Sequence, residues 1–213
     1  MKIYLIRHGR QCDKRCNVDV DLSEEGFLQA DLAGRRMKNW GIQKVYSSDM
    51  VRARQTAETA NKHWNVDHEV IPEFRELYFG EMEGMMPDQI PVVYAEFQKE
   101  QDAMVKDLKY PGGESPGEVA ERGMKALEKV VASGLDCVAV ATHGVWIRAV
   151  LCRILGLDVA KWKLFGVTFE NGSITELGYD HKKGFFTVER FNDYAHLENY
   201  PELLREAWGV KES

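Results

Sequence analysis

Along this chain, short continuous apolar runs alternate with longer stretches in which apolar residues recur at helical spacing, and this alternation holds through most of the sequence. Lys2–Arg7 is an apolar run closed by a cation and reads as a first strand. Leu22, Leu28, Leu32, Ala33 and Met37 fall on one helical face and predict an amphipathic helix over 23–38, stopped by Gly41. Residues 43–47 form a short strand-like run, and Asp49 is placed to cap a helix over 50–64. Ser115-Pro116-Gly117-Glu118 has the capping-box pattern with proline at the first helical position, so a helix starts there and runs to about 133. Cys137–Thr142 is apolar enough for a strand buried on both faces, and His143-Gly144 at its tip opens a helix through about 155.

Strand and helix taking turns in this way argue for a mainly parallel central sheet with helices on both faces, a three-layer α/β/α architecture. The final third changes character. Residues 166–170, 173–177 and 185–191 read as strands, with Asn171-Gly172 and Lys183-Gly184 as the turns between them, so at least one hairpin is expected. Residues 85–109, with Pro87, Pro91 and many charges, read as a helical excursion above the sheet, and Pro111-Gly112-Gly113 as a turn. No internal repeat or low-complexity linker divides the sequence, and a single domain is expected over 1–213.

Composition narrows the class. A chain of 213 residues that is 44% hydrophobic can bury a substantial core. A net charge of −6 gives no general attraction to nucleic acid or to an anionic membrane, so any anion must be held by a local cluster. The opening apolar stretch is too short for a signal-peptide core or a membrane span, and a cytoplasmic location is expected. Cys12, Cys16, Cys137 and Cys152 make no disulfide framework. Cys12 and Cys16 lack a second ligand pair and read as reduced thiols, with no metal site.

Three strand-like runs end in polar or basic clusters: Arg7-His8-Gly9, Ser47-Ser48 followed by Arg52, and Thr142-His143-Gly144. In an open parallel sheet ligands bind at the carboxyl ends of the strands. A glycine after His8 lets the chain turn sharply and approach a ligand closely. Taken singly, Arg7 and Arg52 read as surface ion-pairing residues and His143 as a hydrogen-bonded residue at a helix start. Brought to one volume, two guanidiniums and two imidazoles repel one another unless an anion lies between them, and phosphate matches the guanidinium forks. His143 and the amides after it, at a helix N-terminus, also suit a phosphate. His8 is then a candidate nucleophile. A departing alcohol needs a proton donor, and Glu73, Glu76, Glu81 and Glu83 all lie in the glycine-containing stretch 72–84. The residues alone leave that choice open.

These segments resemble the successive motifs of the histidine phosphatase (phosphoglycerate mutase-like) superfamily: Arg7-His8-Gly9, then Ser47-Ser48-Asp49-Met50-Val51-Arg52-Ala53-Arg54-Gln55-Thr56-Ala57, then Arg75-Glu76-Leu77-Tyr78-Phe79-Gly80-Glu81-Met82-Glu83-Gly84, then Thr142-His143-Gly144. Gly112-Gly113-Glu114-Ser115 resembles a further signature, and the likeness covers nearly the whole chain. It implies a phosphoglycerate mutase-like fold, with His8 as phosphoryl acceptor, Arg7, Arg52, His143 and Gly144 holding the phosphate, Glu76 as general acid, and no cofactor. Residues 85–133 are then expected to lie over the active site. Where members often carry a small hydroxyl residue and an asparagine, this chain has Gln11 and Lys14. Gln11 and Asn17 are the expected substitutes, with Gln11, Lys14 and Arg15 as the alternative.

The resemblance points most closely to small bacterial phosphatases such as those acting on α-ribazole phosphate, with a small-molecule phosphate ester as substrate. Phosphoglycerate mutase-type phosphoryl transfer is the nearest rival, and a phospho-ligand binding protein without turnover is a rival of another class. The C-terminal hairpin offers an edge strand, and the sequence does not specify an oligomeric state.

Overall fold

The computed structural model describes residues 1–166 and 168–208. Six strands form one sheet in the order β3-β2-β4-β1-β5-β6: β1 Lys2–Arg7, β2 Lys44–Ser47, β3 His68–Val70, β4 Cys137–Thr142, β5 Ile174–Asp180 and β6 Phe185–Asp193. Strands β3, β2, β4 and β1 are parallel, whereas β5 runs antiparallel to both β1 and β6. The alternation of side chains along the central strands sorts the core into two layers. Ile3, Leu5, Val138 and Val140 pack on the helices α5 (Pro116–Ala132) and α6 (Gly144–Ile154), while Tyr4, Ile6, Ala139 and Ala141 pack on the side of α1 (Glu24–Arg36) and α2 (Val51–Asn61). The three-layer α/β/α arrangement expected from the sequence is what the chain adopts.

Local signals explain most of the boundaries. Ser23 caps α1 by accepting from the backbone N–H of Gly26, and Glu24 and Glu25 lie in its first turn. Ser115 and Glu118 form the reciprocal capping box at the start of α5, with Pro116 at the first helical position. Asp49, by contrast, does not cap α2, because its carboxylate is taken by Arg75 at 2.7 and 2.9 Å; Met50 stands at the cap position without a side-chain bond. The helix is also shorter at its far end than the apolar pattern suggests.

The C-terminal third holds one hairpin, β5 to β6, turned through Gly184 at φ +70°. Residues 166 and 168–170 are not strand, and Val167 lies outside the described residues. Asn171-Gly172 therefore turns an irregular segment into β5 instead of joining two strands. The stretch 85–109 contains two short helices, α3 (Ile90–Val93) and α4 (Ala95–Asp102). The remainder of the expected excursion does not stand apart from the sheet: α5 buries Val119, Ala126, Leu127 and Val130 in the core beside α6. Among the described residues no helix is long and apolar enough to cross a membrane.

Candidate active site

Strand order alone brings the three basic clusters together. Arg7 at the end of β1 is in register with Thr142 at the end of β4, and Ser47 of β2 with Ala141 of β4, so three parallel tips lie side by side. His8 leaves β1 with its N–H donated to the carbonyl of Thr142 at 2.9 Å. Its own carbonyl accepts from Asn171 Nδ2 at 2.8 Å. Gly9 is needed for a different reason from a sharp turn. A Cβ there would overlap the carbonyl of Gly26, and a Cβ at Gly26 would overlap that of Arg10, so two glycines let the β1 tip press against the start of α1.

The ring of His8 is buried and its tautomer is fixed by its neighbours. Nδ1 lies 2.8 Å from the carbonyl of Gly9, an acceptor, so Nδ1 carries the proton and Nε2 keeps its lone pair. Arg52, in the first turn of α2, donates Nε–H to that Nε2 at 3.3 Å. Burial, then Arg52 and Arg7, hold the His8 pKa well below the usual imidazole value. The ring of His143 lies 5.1 Å from that of His8, fully buried, and neither of its nitrogens has a hydrogen-bond partner among the described residues. Burial, then Arg52 and His8, depress its pKa in the same direction. Arg7 donates Nη1–H to the carbonyl of Phe169, and its Nε is buried without a partner. Burial and the proximity of Arg205 and Arg148 pull its guanidinium down to about 9, still charged at neutral pH. Arg7 and His143 thus carry buried nitrogens without partners among the described residues, at strand tips beside the His8 ring whose Nε2 is met by Arg52, and such unpaired donors suit an anion.

Glu76 is also brought to this space. Its carboxylate accepts from the backbone N–H of Leu77 (3.0 Å), Val145 (3.2 Å) and Trp146 (3.0 Å), so it is seated on the first turn of α6, directly after His143. Those last two amides are therefore not open to a phosphate, and in the first turn after His143 only the amide of Gly144 is without an acceptor among the described residues. Of the four glutamates in 72–84, Glu73 pairs with Lys129, Glu81 accepts from the Tyr94 hydroxyl, and Glu83 accepts from Asn17 at 2.7 Å. Only Glu76 lines the cavity that holds His8, which has a volume of about 830 Å³.

The loop residues turn out differently from expectation. Asn17 reaches the site, but both ends of its amide are engaged: Oδ1 accepts from Arg52 Nη2 at 2.6 Å, and Nδ2 donates to Glu83 and to the carbonyl of Leu77. It orients Arg52 instead of offering a free donor to phosphate. Gln11 lines the cavity, yet its Nε2 donates to the carbonyls of Asp13 and Arg15, closing the 10–17 loop on itself. Lys14 also lines the cavity, and Arg15 pairs with Asp13. Burial pushes the Cys16 thiol up to about 11, so it stays protonated, and no metal-binding group of His, Cys, Asp and Glu exists among the described residues.

Sequence reasoning missed Arg122 and the C-terminal residues. Arg122 on α5 pairs with both oxygens of Glu114 at 3.0 Å and donates to the carbonyls of Glu73, Arg75 and Glu76, clamping the segment that carries the acid. An arginine on the polar side of an amphipathic helix carries no sequence signal for this. Arg205 and Trp208 line the His8 cavity, from a segment with no motif.

A three-layer α/β protein with an arginine- and histidine-lined pocket at adjacent parallel strand tips is thus defined by fold and geometry together. Residues 3–194 match the family model of the histidine phosphatase superfamily, branch 1, and the chain belongs to that superfamily. It is 29% identical over 211 residues to a protein of Escherichia fergusonii named "Probable phosphoglycerate mutase GpmB", covering 93% of this chain and 95% of that one. Among solved structures it resembles a mycobacterial glucosyl-3-phosphoglycerate phosphatase in complex with inorganic phosphate, with TM-score 0.81 and 27% identity over 92% of this chain and 98% of the other. The fold is shared too with Bacillus stearothermophilus YhfR, with TM-score 0.79 and 23% identity over 92% and 99% of the two chains.

Proposed function

We propose that this protein is a phosphatase that hydrolyses phosphate monoesters of a small metabolite through a covalent phosphohistidine on His8, with Glu76 as general acid. The observation that carries this reading is the His8 ring itself: proton anchored on the Gly9 carbonyl, lone pair of Nε2 turned to the space shared with Arg52. A neutral, oriented imidazole nitrogen is the form that can attack phosphorus.

In the first step Nε2 bonds to phosphorus and the bond from phosphorus to the ester oxygen breaks. Arg7, Arg52, His143 and the Gly144 amide bear on the charge spread over the equatorial oxygens. Glu76 gives its proton to the departing alcohol. In the second step water attacks the phosphohistidine, its proton passes to Glu76, the N–P bond breaks, and inorganic phosphate leaves with His8 neutral again. No cofactor or metal enters this scheme, and a cytoplasmic location for the protein belongs to the same proposal.

Phosphoglycerate mutase-type transfer is the second reading, favoured by the name of the 29% identical relative. Product separates them: a phosphatase releases inorganic phosphate, whereas a mutase returns the phosphoryl group to the substrate. Incubation with 4-nitrophenyl phosphate in the presence of a chelator, with nitrophenolate and phosphate both measured, is the direct test. Stoichiometric release of both, abolished in His8→Ala, is expected. Absence of release in the wild type would leave a phospho-ligand binding protein, and isomerisation of phosphoglycerate without net release would make it a mutase.

A further inference from the structure

The carbonyl that fixes the His8 tautomer belongs to Gly9, a position that must be glycine because a Cβ would overlap the carbonyl of Gly26. The ring is therefore anchored on the residue type whose peptide planes turn most freely. Two fully buried side chains hold those planes. On the near side, the N–H of Gly9 donates to Thr56 Oγ1 at 3.0 Å, and the Thr56 hydroxyl donates to the carbonyl of Arg52 at 2.7 Å. On the far side, the carbonyl of Gly9 and the N–H of Arg10 are the two ends of one planar peptide unit. His8 Nδ1 donates to the oxygen of that unit at 2.8 Å, and its N–H donates to Gln29 Oε1, also at 2.8 Å.

Gln29 is an amide of α1 with no exposed surface. Its orientation is settled from both ends: Nε2 donates to the carbonyl of Leu203 at 2.8 Å, so Oε1 is the atom left to meet Arg10. Leu203 is itself fixed, buried with Leu197 against Leu32 of α1. Pairing two buried backbone groups would explain a buried amide anywhere in a core. Here one of the two is the N–H of the very peptide whose oxygen holds the His8 ring. A peptide that donates its N–H is a stronger acceptor at its oxygen, and hydrogen bonds in such a chain reinforce one another. The chain runs from the Leu203 carbonyl through Gln29 and the Gly9–Arg10 peptide to Nδ1–H, the ring nitrogen that does not attack.

Resting on the phosphatase reading, we infer that Gln29 is a positioning residue for His8: by holding the Gly9–Arg10 peptide it keeps the ring proton on Nδ1 and the lone pair on Nε2. Gln29 touches neither the substrate nor the reacting atoms. When Nε2 bonds to phosphorus the ring gains positive charge, Nδ1–H becomes a stronger donor, and the same chain of bonds stabilises the phosphorylated ring more than the free one. Without Gln29 the peptide is released to turn its oxygen away. The proton then passes through solvent from Nδ1 to Nε2 in part of the population, and there it blocks attack.

Proton–nitrogen NMR of the imidazole rings in the full chain, with the His8 signals assigned by their loss in His8→Ala, reads which ring nitrogen is protonated and needs no turnover. The wild type is expected to carry the proton on Nδ1. Gln29→Met, similar in length and without a polar atom for either partner, should move a measurable part of the proton population to Nε2 and lower kcat on 4-nitrophenyl phosphate by about tenfold. Gln29→Glu keeps an oxygen for the Arg10 N–H in either protonation state, and should restore most of the tautomer and of the rate. Leu32→Ala, an apolar loss on the same helix, is the stability control: it should weaken resistance to urea while the tautomer stays as in the wild type. A wild-type ring protonated on Nε2, a fall in kcat with the tautomer unchanged, or no change in either refutes the positioning role. Should Gln29→Met not fold, Gln29→Asn, one methylene too short to span Arg10 and Leu203, is judged by the same criteria. If the wild type releases no nitrophenolate the phosphatase reading fails, and the tautomer comparison still decides for or against Gln29.

Discussion

Arg52 Nε lies 3.3 Å from His8 Nε2, so the side chain proposed to hold the phosphate already donates to the lone pair of the proposed nucleophile. That contact, with burial, keeps the imidazole neutral. Lysine cannot reproduce it, because the guanidinium uses three nitrogens at once, on His8, on the Val18 carbonyl and on Asn17. Arg52→Lys is expected to lower kcat on 4-nitrophenyl phosphate by about 10²–10³-fold, the range typical of losing a preorganised donor. In the same variant His8 should titrate at higher pH than in the wild type if the lysine nitrogen withdraws from the ring. Imidazole proton NMR reads this directly, and an unchanged titration together with unchanged kcat would remove Arg52 from the site.

Replacing Glu76 by Gln removes the transferable proton. The loss is expected to be about 10²-fold or more on alkyl phosphates, whose alkoxide leaves poorly, and much smaller on 4-nitrophenyl phosphate. Parallel steady-state kinetics on the two esters give the answer, and equal losses on both would argue against an acid role.

Arg122 makes five hydrogen bonds to Glu114 and to the carbonyls of 73, 75 and 76, and does not itself line the cavity that holds His8. Arg122→Ala leaves a carboxylate and three carbonyls without this partner, and a destabilisation of about 1–3 kcal/mol in urea unfolding is expected. Because the clamp holds the acid's segment, kcat on alkyl phosphates should fall more than on the aryl ester. A stability loss without this leaving-group bias would make Arg122 purely structural.

Two buried histidines and the half-buried His196 are expected to set the acid limit of stability. His8 and His143 are held neutral by burial and neighbouring guanidiniums, and His196, whose Nε2 donates to the carbonyl of Gly172 at 3.0 Å, is lowered to about 4 by burial and Arg36. Below the ordinary value of 6.5 the unfolded chain binds protons that the folded one refuses, so stability falls as pH drops. Each such group contributes a slope of up to about 1.4 kcal/mol per pH unit within its window. For His196 that window runs from 6.5 down to about 4. Urea unfolding at pH 7 and pH 5 should show the decline, and His196→Gln should make it shallower.

What the sequence made legible was what strand tips and caps encode. The runs ending at Arg7 and Thr142 placed His8 and His143 correctly because a buried parallel strand must be continuously apolar and its polar residues can begin only at its end. The Ser115 capping box was equally local. Other features depended on partners far along the chain. β3 is three residues with two exposed, too short and polar to show an alternating pattern. Asp49 looked like a helix cap until Arg75 claimed it, 26 residues on. Asn17 sits at φ 49°, which an asparagine tolerates, and its engagement by Arg52 and Glu83 follows from that loop shape and not from spacing. Arg205 and Trp208 reach the cavity only because the C-terminal segment crosses back over α1.

The seat of Glu76 on the backbone of Val145 and Trp146 has a mechanical meaning. His143 begins the very helix to which that carboxylate is fastened, so the proposed proton donor and one proposed phosphate ligand are tied to a single rigid rod. The separation of the His143 ring and the Glu76 carboxylate is therefore gauged by one turn of α6.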